Sequence, residues 1–497
     1  MDAFRISTDN TARPTDNLLL LVISASFLTL IYLFWSQATR SNIPEVAGIS
    51  KVPGSWPFIG DLWSLGGRTG ENDSSVYTQW SHQLGTDVFQ MRLGDQRTLV
   101  ANSFLAIKEL WVGHANDLIH RPFQHGFADK LEYDLSGAAM TEPIRRCRKA
   151  AMRALGKPMW SGYYPLLEPS SVKLVQNNFR AGANGADFID IYPELRRVVF
   201  DLTLSLTYGY RMTSENNDFV VKLIESINRI SNIRSSTQRF RDYTPALRFL
   251  IPDTLSSNVI VSSEKIRQAH LETIYANLQR RLAEGEDVNC IVTGLVNDKL
   301  SLPESHGVCK ALLQAAPDST ASSIYMAIAW LCSPAGRAHQ ATLFAAIKDA
   351  YGGDGDQAWN MAFREESVPL VVAFYKEILR YWTITPFATP RSTANAFKYR
   401  NSLIPKGVTM IMNAQHGNHD RSWYGDTAEM FNPTSAMLVR LILAFEMRES
   451  EEAHARKPNL DMVDFSDVRD SLVAMPRYFD CHYIARDPQW LASKWDA

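Results

Sequence analysis

The stretch Lys376–Arg391, KEILRYWTITPFATPR, decides how the rest of the chain is read. Taken as the end of a helix, it sets Glu377 and Arg380 three positions apart on one face, where a carboxylate and a guanidinium pair. Pro386 and Pro390 cannot continue a helix, so they are expected to end it and to stiffen an extended segment that presents Arg391. An E-x-x-R pair alone also describes an ordinary solvated intrahelical ion pair. Its weight comes from the company it keeps in one order along the chain. An apolar run near the N-terminus is followed by VPGSWPFIGDL at 52–62, RRCRKAAMRAL at 145–155 and AAPDSTAS at 315–322. IPKG at 404–407 and MFNP at 430–433 come after it.

At 497 residues the chain is long enough for more than one domain. No Gly/Ser linker, charge block or repeat divides it, so one large domain behind an N-terminal segment is expected. A net charge of −2 and a pI near 6.6 give no electrostatic footprint for nucleic acid. The five cysteines, Cys147, Cys290, Cys309, Cys332 and Cys481, lie far apart with no C-x-x-C, so neither a zinc site nor a disulfide framework is indicated. That pattern suits a reduced body facing the cytosol.

Residues Leu18–Trp35, LLLLVISASFLTLIYLFW, carry no charge. Eighteen residues at about 1.5 Å each reach roughly 27 Å, enough for a thin bilayer such as that of the endoplasmic reticulum. The run is longer than a signal-peptide core, acidic residues precede it and no A-x-A site follows, which favours a retained anchor over a cleaved leader. Arg40 and Lys51 follow it, placing the body on the cytosolic side. The boundaries read as an N-terminal segment at 1–17, an anchor at 18–35, a Pro-rich hinge at 36–62 and a catalytic body at 63–497.

Past the hinge, Asp87–Asn102 alternates apolar and polar residues around Gly94-Asp95, a β-hairpin pattern. Arg145–Leu155 is a helix with a basic side, and 180–350 carries apolar stripes of helical period. Gly407–Ala414 and MPRYFDCHYIARD near the C-terminus alternate again. The fold class is therefore mainly α with small peripheral β-sheets. No G-x-S-x-G elbow or H-E-x-x-H pair points to a hydrolase.

In this order the segments resemble the membrane-bound cytochrome P450 monooxygenases over roughly residues 18–497, and among them the fungal phenylacetate-hydroxylase-like members. The resemblance implies a cytochrome P450 fold behind a transmembrane helix in the endoplasmic reticulum membrane. It implies a haem b cofactor, electrons from NADPH through a cytochrome P450 reductase, and a small organic, aromatic substrate. In AAPDST, Ala316 takes the place of the family's groove glycine, Asp318 that of the acid and Ser319 that of the alcohol, with Thr320 beside it. An acid and a hydroxyl there relay protons. The same residues also fit the first turn of a helix starting at Pro317, where Asp318 and Ser319 would serve capping; if they lie within a helix, Pro317 is expected to kink it. Arg391 and Arg148 match the arginines that face the haem propionates, and His120 and Arg121 in LIHRPF are a further contact. Glu377 and Arg380 match the pair that braces the haem-loop region.

One part of the pattern is missing. In the family, the segment after F-x-P continues into an arginine that joins the E-x-x-R pair, then into a glycine-rich loop whose cysteine ligates the iron. Here MFNPTSAM runs straight into LVRLILAFEM, which resembles the helix that follows that loop. No axial cysteine is available, so no metal ligand is assigned. His416 and His419 in NAQHGNHD are nitrogen donors only in principle. The loop is expected to be deleted near 434–437, and with it either haem binding or merely its record in this transcript. The alternative function is thus a membrane-anchored, catalytically inactive P450-like protein.

Overall fold

Apolar side chains spaced three and four apart through the middle of the chain wind into long helices, and alternating stretches on either side pair into small sheets, in this computed structural model. The structure describes residues 14–66, 71–121, 130–131, 133–213, 217–233, 243–244, 247, 250, 254–362, 367–426, 439–467 and 473–495. The helices that position the site are α1 (Pro14–Ala38), α2 (Asp73–Leu84), α3 (Glu142–Ala154), α4 (Trp160–Ala181), α5 (Tyr192–Tyr208), α6 (Asn217–Ile233), α7 (Thr254–Ala283), α8 (Leu302–Cys332), α9 (Arg337–Ala350), α10 (Pro369–Tyr381) and α11 (Val439–Ala444). The strands are β1 (Ser50–Lys51), β2 (Val88–Leu93), β3 (Gln96–Ala101), β4 (Phe188–Ile189), β5 (Arg391–Ser392), β6 (Phe397–Tyr399), β7 (Ser402–Ile404), β8 (Thr409–Met412), β9 (Phe445–Glu449) and β10 (Cys481–Ala485).

α8 is the axis around which the rest packs. Ser301 caps its start, donating from its backbone N–H (2.9 Å) and hydroxyl (2.8 Å) to Glu304, a capping box that fixes where the helix begins. The N-terminal half of α8 buries Val308, Cys309 and Leu313 against Leu204 and Tyr208 of α5 and Leu271 of α7. Its C-terminal half buries Tyr325, Ile328 and Leu331 with Leu195 of α5, Leu343 of α9, Phe374 of α10 and Ile442 of α11. A helix covered on so many sides needs no narrow polar stripe, and its C-terminal sequence SSIYMAIAWLC has none.

The largest sheet runs β1-β2-β3-β8-β5. β2 and β3 pair antiparallel from Val88 opposite Ala101 to Leu93 opposite Gln96, with Gly94-Asp95 as the turn. Gly94 has φ of 60°, and a Cβ there would lie 1.8 Å from the Tyr243 backbone oxygen, so only glycine closes this hairpin. β3 pairs parallel with β8, and β5 antiparallel with it, Arg391 standing opposite Met410. The hairpin and the mainly helical fold class are as the sequence implies.

α10 stops at Tyr381, ahead of Pro386 as expected of a proline that cannot donate back into the helix, and Trp382 leaves the helical region at φ −101° and ψ 88° with its indole fully buried. One expectation changes. Among the described residues no helix is long and apolar enough to cross a membrane. α1, 25 residues long, covers the apolar run Leu18–Trp35, and its described apolar side chains are exposed.

Candidate functional site

Arg380 donates from Nε to Glu377 Oε2 and from Nη2 to Glu377 Oε1, both at 2.7 Å, and each side chain is only 12% exposed. This is a bidentate, largely buried pair and not a solvated one. Arg380 Nη1 also donates to the Asn418 carbonyl at 2.8 Å, and the guanidinium carbon lies 5.3 Å from the Tyr424 ring centre. A carbonyl and an aromatic face thus stand beside the pair.

Three guanidiniums from distant parts of the chain come together elsewhere. An isolated bridge pairs His120 with Ser392, whose N–H donates to the His120 carbonyl at 2.8 Å, so Arg121 and Arg391 sit side by side in sequence-remote strands. α3 brings Arg148. Arg121 Nη1 donates to the carbonyls of Leu135 (2.9 Å) and Ser136 (3.1 Å), and Arg148 Nη2 donates to the same Leu135 oxygen at 2.7 Å. The other arginines of α3 pair elsewhere, Arg145 with Glu142, Arg146 with Glu304 and Arg153 with Asp298, and Lys149 is exposed. Arg148 is therefore the inward cation of the RRCRK motif.

The cluster is short of negative charge. Burial pushes Arg121 down to about 10, and the positive charges of Arg148 and Arg391 add to this while Asp134 opposes it. Arg148 is lowered by burial and by Arg391, against Asp134, and Arg391 by burial alone. Arg121 Nε is buried with no acceptor among the described residues. Half-buried cations that depress one another are a place prepared for an anion.

Along α8, Pro317 lies far inside the helix, with Leu302 at its start. The helix-start arrangement for Asp318 and Ser319 is excluded, and the helix runs unbroken through Pro317. Asp318 Oδ1 accepts from Arg196 of α5, 2.9 Å from Nε and 2.7 Å from Nη2. Arg196 gave no signal in sequence, since YPELRRVVF offers two arginines and no motif to choose between them. Asp318, Pro317, Leu313, Arg196, Phe200 and Ile227 line a cavity of about 210 Å³ between α5, α6 and α8. Ser319 Oγ donates back to the Ala315 carbonyl at 2.7 Å. Ala315 is exposed and Ala316, Ser319 and Thr320 are half-buried, so one face of α8 is open in the middle of an otherwise covered helix. The acid and the alcohol do not bond to each other; each is held by its own neighbour.

None of the five cysteines reaches this region as a poised thiolate. All are buried, Cys147 within α3, Cys309 and Cys332 in α8, Cys481 in β10 and Cys290 ahead of α8. Burial pushes the Cys147 thiol up to about 11, with Glu304 adding to it, and burial raises Cys290 and Cys309 as well. Cys332 is raised by its contact with Cys481 and by burial. A metal ligand must be deprotonated, so these environments work against ligation. His416 lies 5.9 Å, ring to ring, from His82, and His419 Nδ1 bonds the Gln415 carbonyl at 2.7 Å. Among the described residues no three His, Cys, Asp or Glu side chains form a metal-binding group. The junction near 434–437 lies outside the described residues; residues 427–438 read TAEMFNPTSAML, with neither Cys nor His. α11 is described from Val439 to Ala444, and β9 begins at Phe445.

Comparison with known proteins adds three findings. Residues 51–435 match the family model described as Cytochrome P450, and the match ends at the junction. The chain is 29% identical to a phenylacetate 2-hydroxylase of Emericella nidulans over 96% of this chain and 97% of the relative; the alignment spans 518 positions, more than the 497 residues here, so the relative has residues without a counterpart in this chain. It is 28% identical to a 3-hydroxyphenylacetate 6-hydroxylase of the same organism, over 81% of this chain and 77% of that one, and 26% identical to a cytochrome P450 monooxygenase of Mycosarcoma maydis, over 84% and 75%.

Proposed function

The chain belongs to the cytochrome P450 family, whose members carry haem iron and take electrons from NADPH through a reductase, and from that premise we propose that its gene encodes a membrane-anchored monooxygenase acting on a small aromatic carboxylic acid. The arginine cluster is the observation that carries the haem part of this reading. Haem has two carboxylates, and Arg121, Arg148 and Arg391 are three inward cations with one acid, Asp134, against them. The aromatic-acid part draws on the names of the two Emericella relatives.

The two halves of a haem site do not agree in this chain. The cation side fits the propionates. The axial side does not fit, because no cysteine or histidine occupies 427–438 and the five thiols are held elsewhere. No oxidation step is therefore derived for the chain as it stands. Its own residues have these roles in the proposal: Arg148, Arg391 and Arg121 hold carboxylates; Ala316 keeps the open face of α8 clear of bulk; Asp318 is the acidic group of the proton path, with Arg196 fixing where its carboxylate points; Ser319 and Thr320 supply hydroxyls; and the Glu377–Arg380 pair braces the loop at 418–424. α1 is the proposed anchor, in the endoplasmic reticulum membrane with the body on the cytosolic side. Its support is a 25-residue helix whose Phe27, Leu28, Leu30 and Tyr32 side chains are all exposed.

The junction favours a second reading for this particular chain, a pocket that has lost its iron ligand and can act only as a binder. Reading the transcript and the genomic DNA between the codons for Pro433 and Leu438 separates the two. The monooxygenase reading expects the DNA to encode an arginine and a glycine-rich cysteine loop that this chain lacks. Genomic sequence with no coding remnant there would leave the binder as the function.

A further inference from the structure

We infer that the cavity between α5, α6 and α8 is a binding site for a neutral, single-ring phenol. It is separate from the face of α8 that the monooxygenase reading uses. At 3.6 residues per turn, Leu313, Gln314, Pro317 and Asp318 fall within one arc of about 140°, and all four line the cavity. Ala315, Ala316 and Ser319, the open face, fall in the opposite arc. Whatever fills the cavity therefore lies behind α8, and the site stands whether or not the chain holds haem.

Size, charge and one unusual carbonyl set the ligand class. The cavity holds about 210 Å³, and an apolar cavity of about 150 Å³ already takes benzene, so one ring with a short substituent fits. Phe200 of α5, Ile224 and Ile227 of α6 and Leu313 of α8 supply apolar walls. The two guanidiniums in the lining already hold carboxylates. Arg196 pairs with Asp318, and Arg197 donates to both oxygens of Glu194, at 2.6 and 2.7 Å. A ligand carboxylate would have to compete with an acid tethered beside each cation, which favours a neutral molecule. Arg196 and Asp318 are 30% and 22% exposed, so the cavity reaches solvent beside this pair. Pro317 lies inside α8 and has no N–H to give to the carbonyl four residues back, that of Leu313. Both residues line the cavity, so a ligand hydroxyl has an acceptor there that the usual helical donor leaves open.

The test uses the purified full-length chain in detergent, titrated by fluorine NMR with para-fluorophenol, para-fluorotoluene and para-fluorophenylacetate. Free concentrations are set from the partition of each probe into protein-free detergent. The phenol is expected to bind saturably, the toluene about fivefold more weakly for want of one hydrogen bond, and the carboxylate about tenfold or more weakly. Pro317→Ala restores an N–H to the Leu313 carbonyl, so it should bring phenol and toluene level while ring binding persists; a merely structural proline would leave their ratio unchanged. Ile224→Phe fills the cavity and should weaken the phenol about tenfold or more with the thermal midpoint level. If Ile224→Phe lowers the midpoint, the ratio in Pro317→Ala decides alone, because that variant adds a helical hydrogen bond. A phenol preference that survives Pro317→Ala overturns the inference. A carboxylate that binds as tightly as the phenol overturns it by making the arginines the recognition element. Unchanged phenol binding in a folded Ile224→Phe variant, or no saturable phenol binding at all, overturns it as adsorption elsewhere.

Discussion

Arg121, Arg148 and Arg391 converge from three distant parts of the chain, whereas residues 427–438, around Pro433, hold neither Cys nor His. The parts of the cluster are held by independent structure: α3 packs on α8, β5 pairs with β8, and the His120–Ser392 bridge ties the Arg121 segment to β5. In the proposed reading the missing part is one continuous loop, which a single deletion would remove whole. Binding groups scattered along a sequence are robust to a local loss, while a ligand loop is not.

The largest effects should come from the anchor and the brace. Deleting residues 1–40 is expected to move the protein from the membrane to the soluble fraction with the body still folded; retention of the truncated form in membranes after a high-salt wash would relocate the anchor to another apolar surface. Within the body, Glu377→Ala leaves Arg380 buried without its carboxylate and should cost about 3 kcal/mol in denaturant unfolding. A loss under about 1 kcal/mol would mean that Asn418 and Tyr424 support Arg380 alone, and the brace would no longer separate the two regions.

Restoring the loop sharpens the contrast next. Haem should stabilise a loop-restored form by several degrees in thermal midpoint through ligand linkage and leave the present chain with a smaller shift from carboxylate contacts alone. Equal shifts in both would place the missing half somewhere other than the junction. In the restored form, Asp318→Asn should slow product formation and Ser319→Ala should raise peroxide release relative to product; unchanged turnover and coupling would remove both from the proton path. The smallest effect is expected from Arg196→Ala in the present chain, where the Asp318 pair is 22–30% exposed. Its loss should cost about 1 kcal/mol or less by denaturant unfolding, with porphyrin binding unchanged because Arg196 serves α8 and not the cluster.

Much of this was legible in the residues. The period of the apolar stripes gave the helices, Gly94-Asp95 gave the hairpin, and the i,i+3 spacing gave the Glu377–Arg380 pair. Choosing Arg148 among the cations of RRCRK took a family resemblance, because Arg145, Arg146, Arg148 and Arg153 look alike until α3 is packed on α8. Arg196, Asn418 and the Leu135 carbonyl were invisible: their parts depend on tertiary approach across long sequence gaps, and a backbone carbonyl has no letter of its own.

The central claim is that the chain keeps the carboxylate side of a haem site and has lost the thiolate side. Its most direct test is the absorbance spectrum of the purified full-length chain mixed with iron protoporphyrin, reduced and exposed to carbon monoxide. The account predicts a bound porphyrin spectrum without the thiolate-type Soret band. A thiolate-type band would contradict it, showing that one of Cys147, Cys290, Cys309, Cys332 or Cys481 reaches the iron.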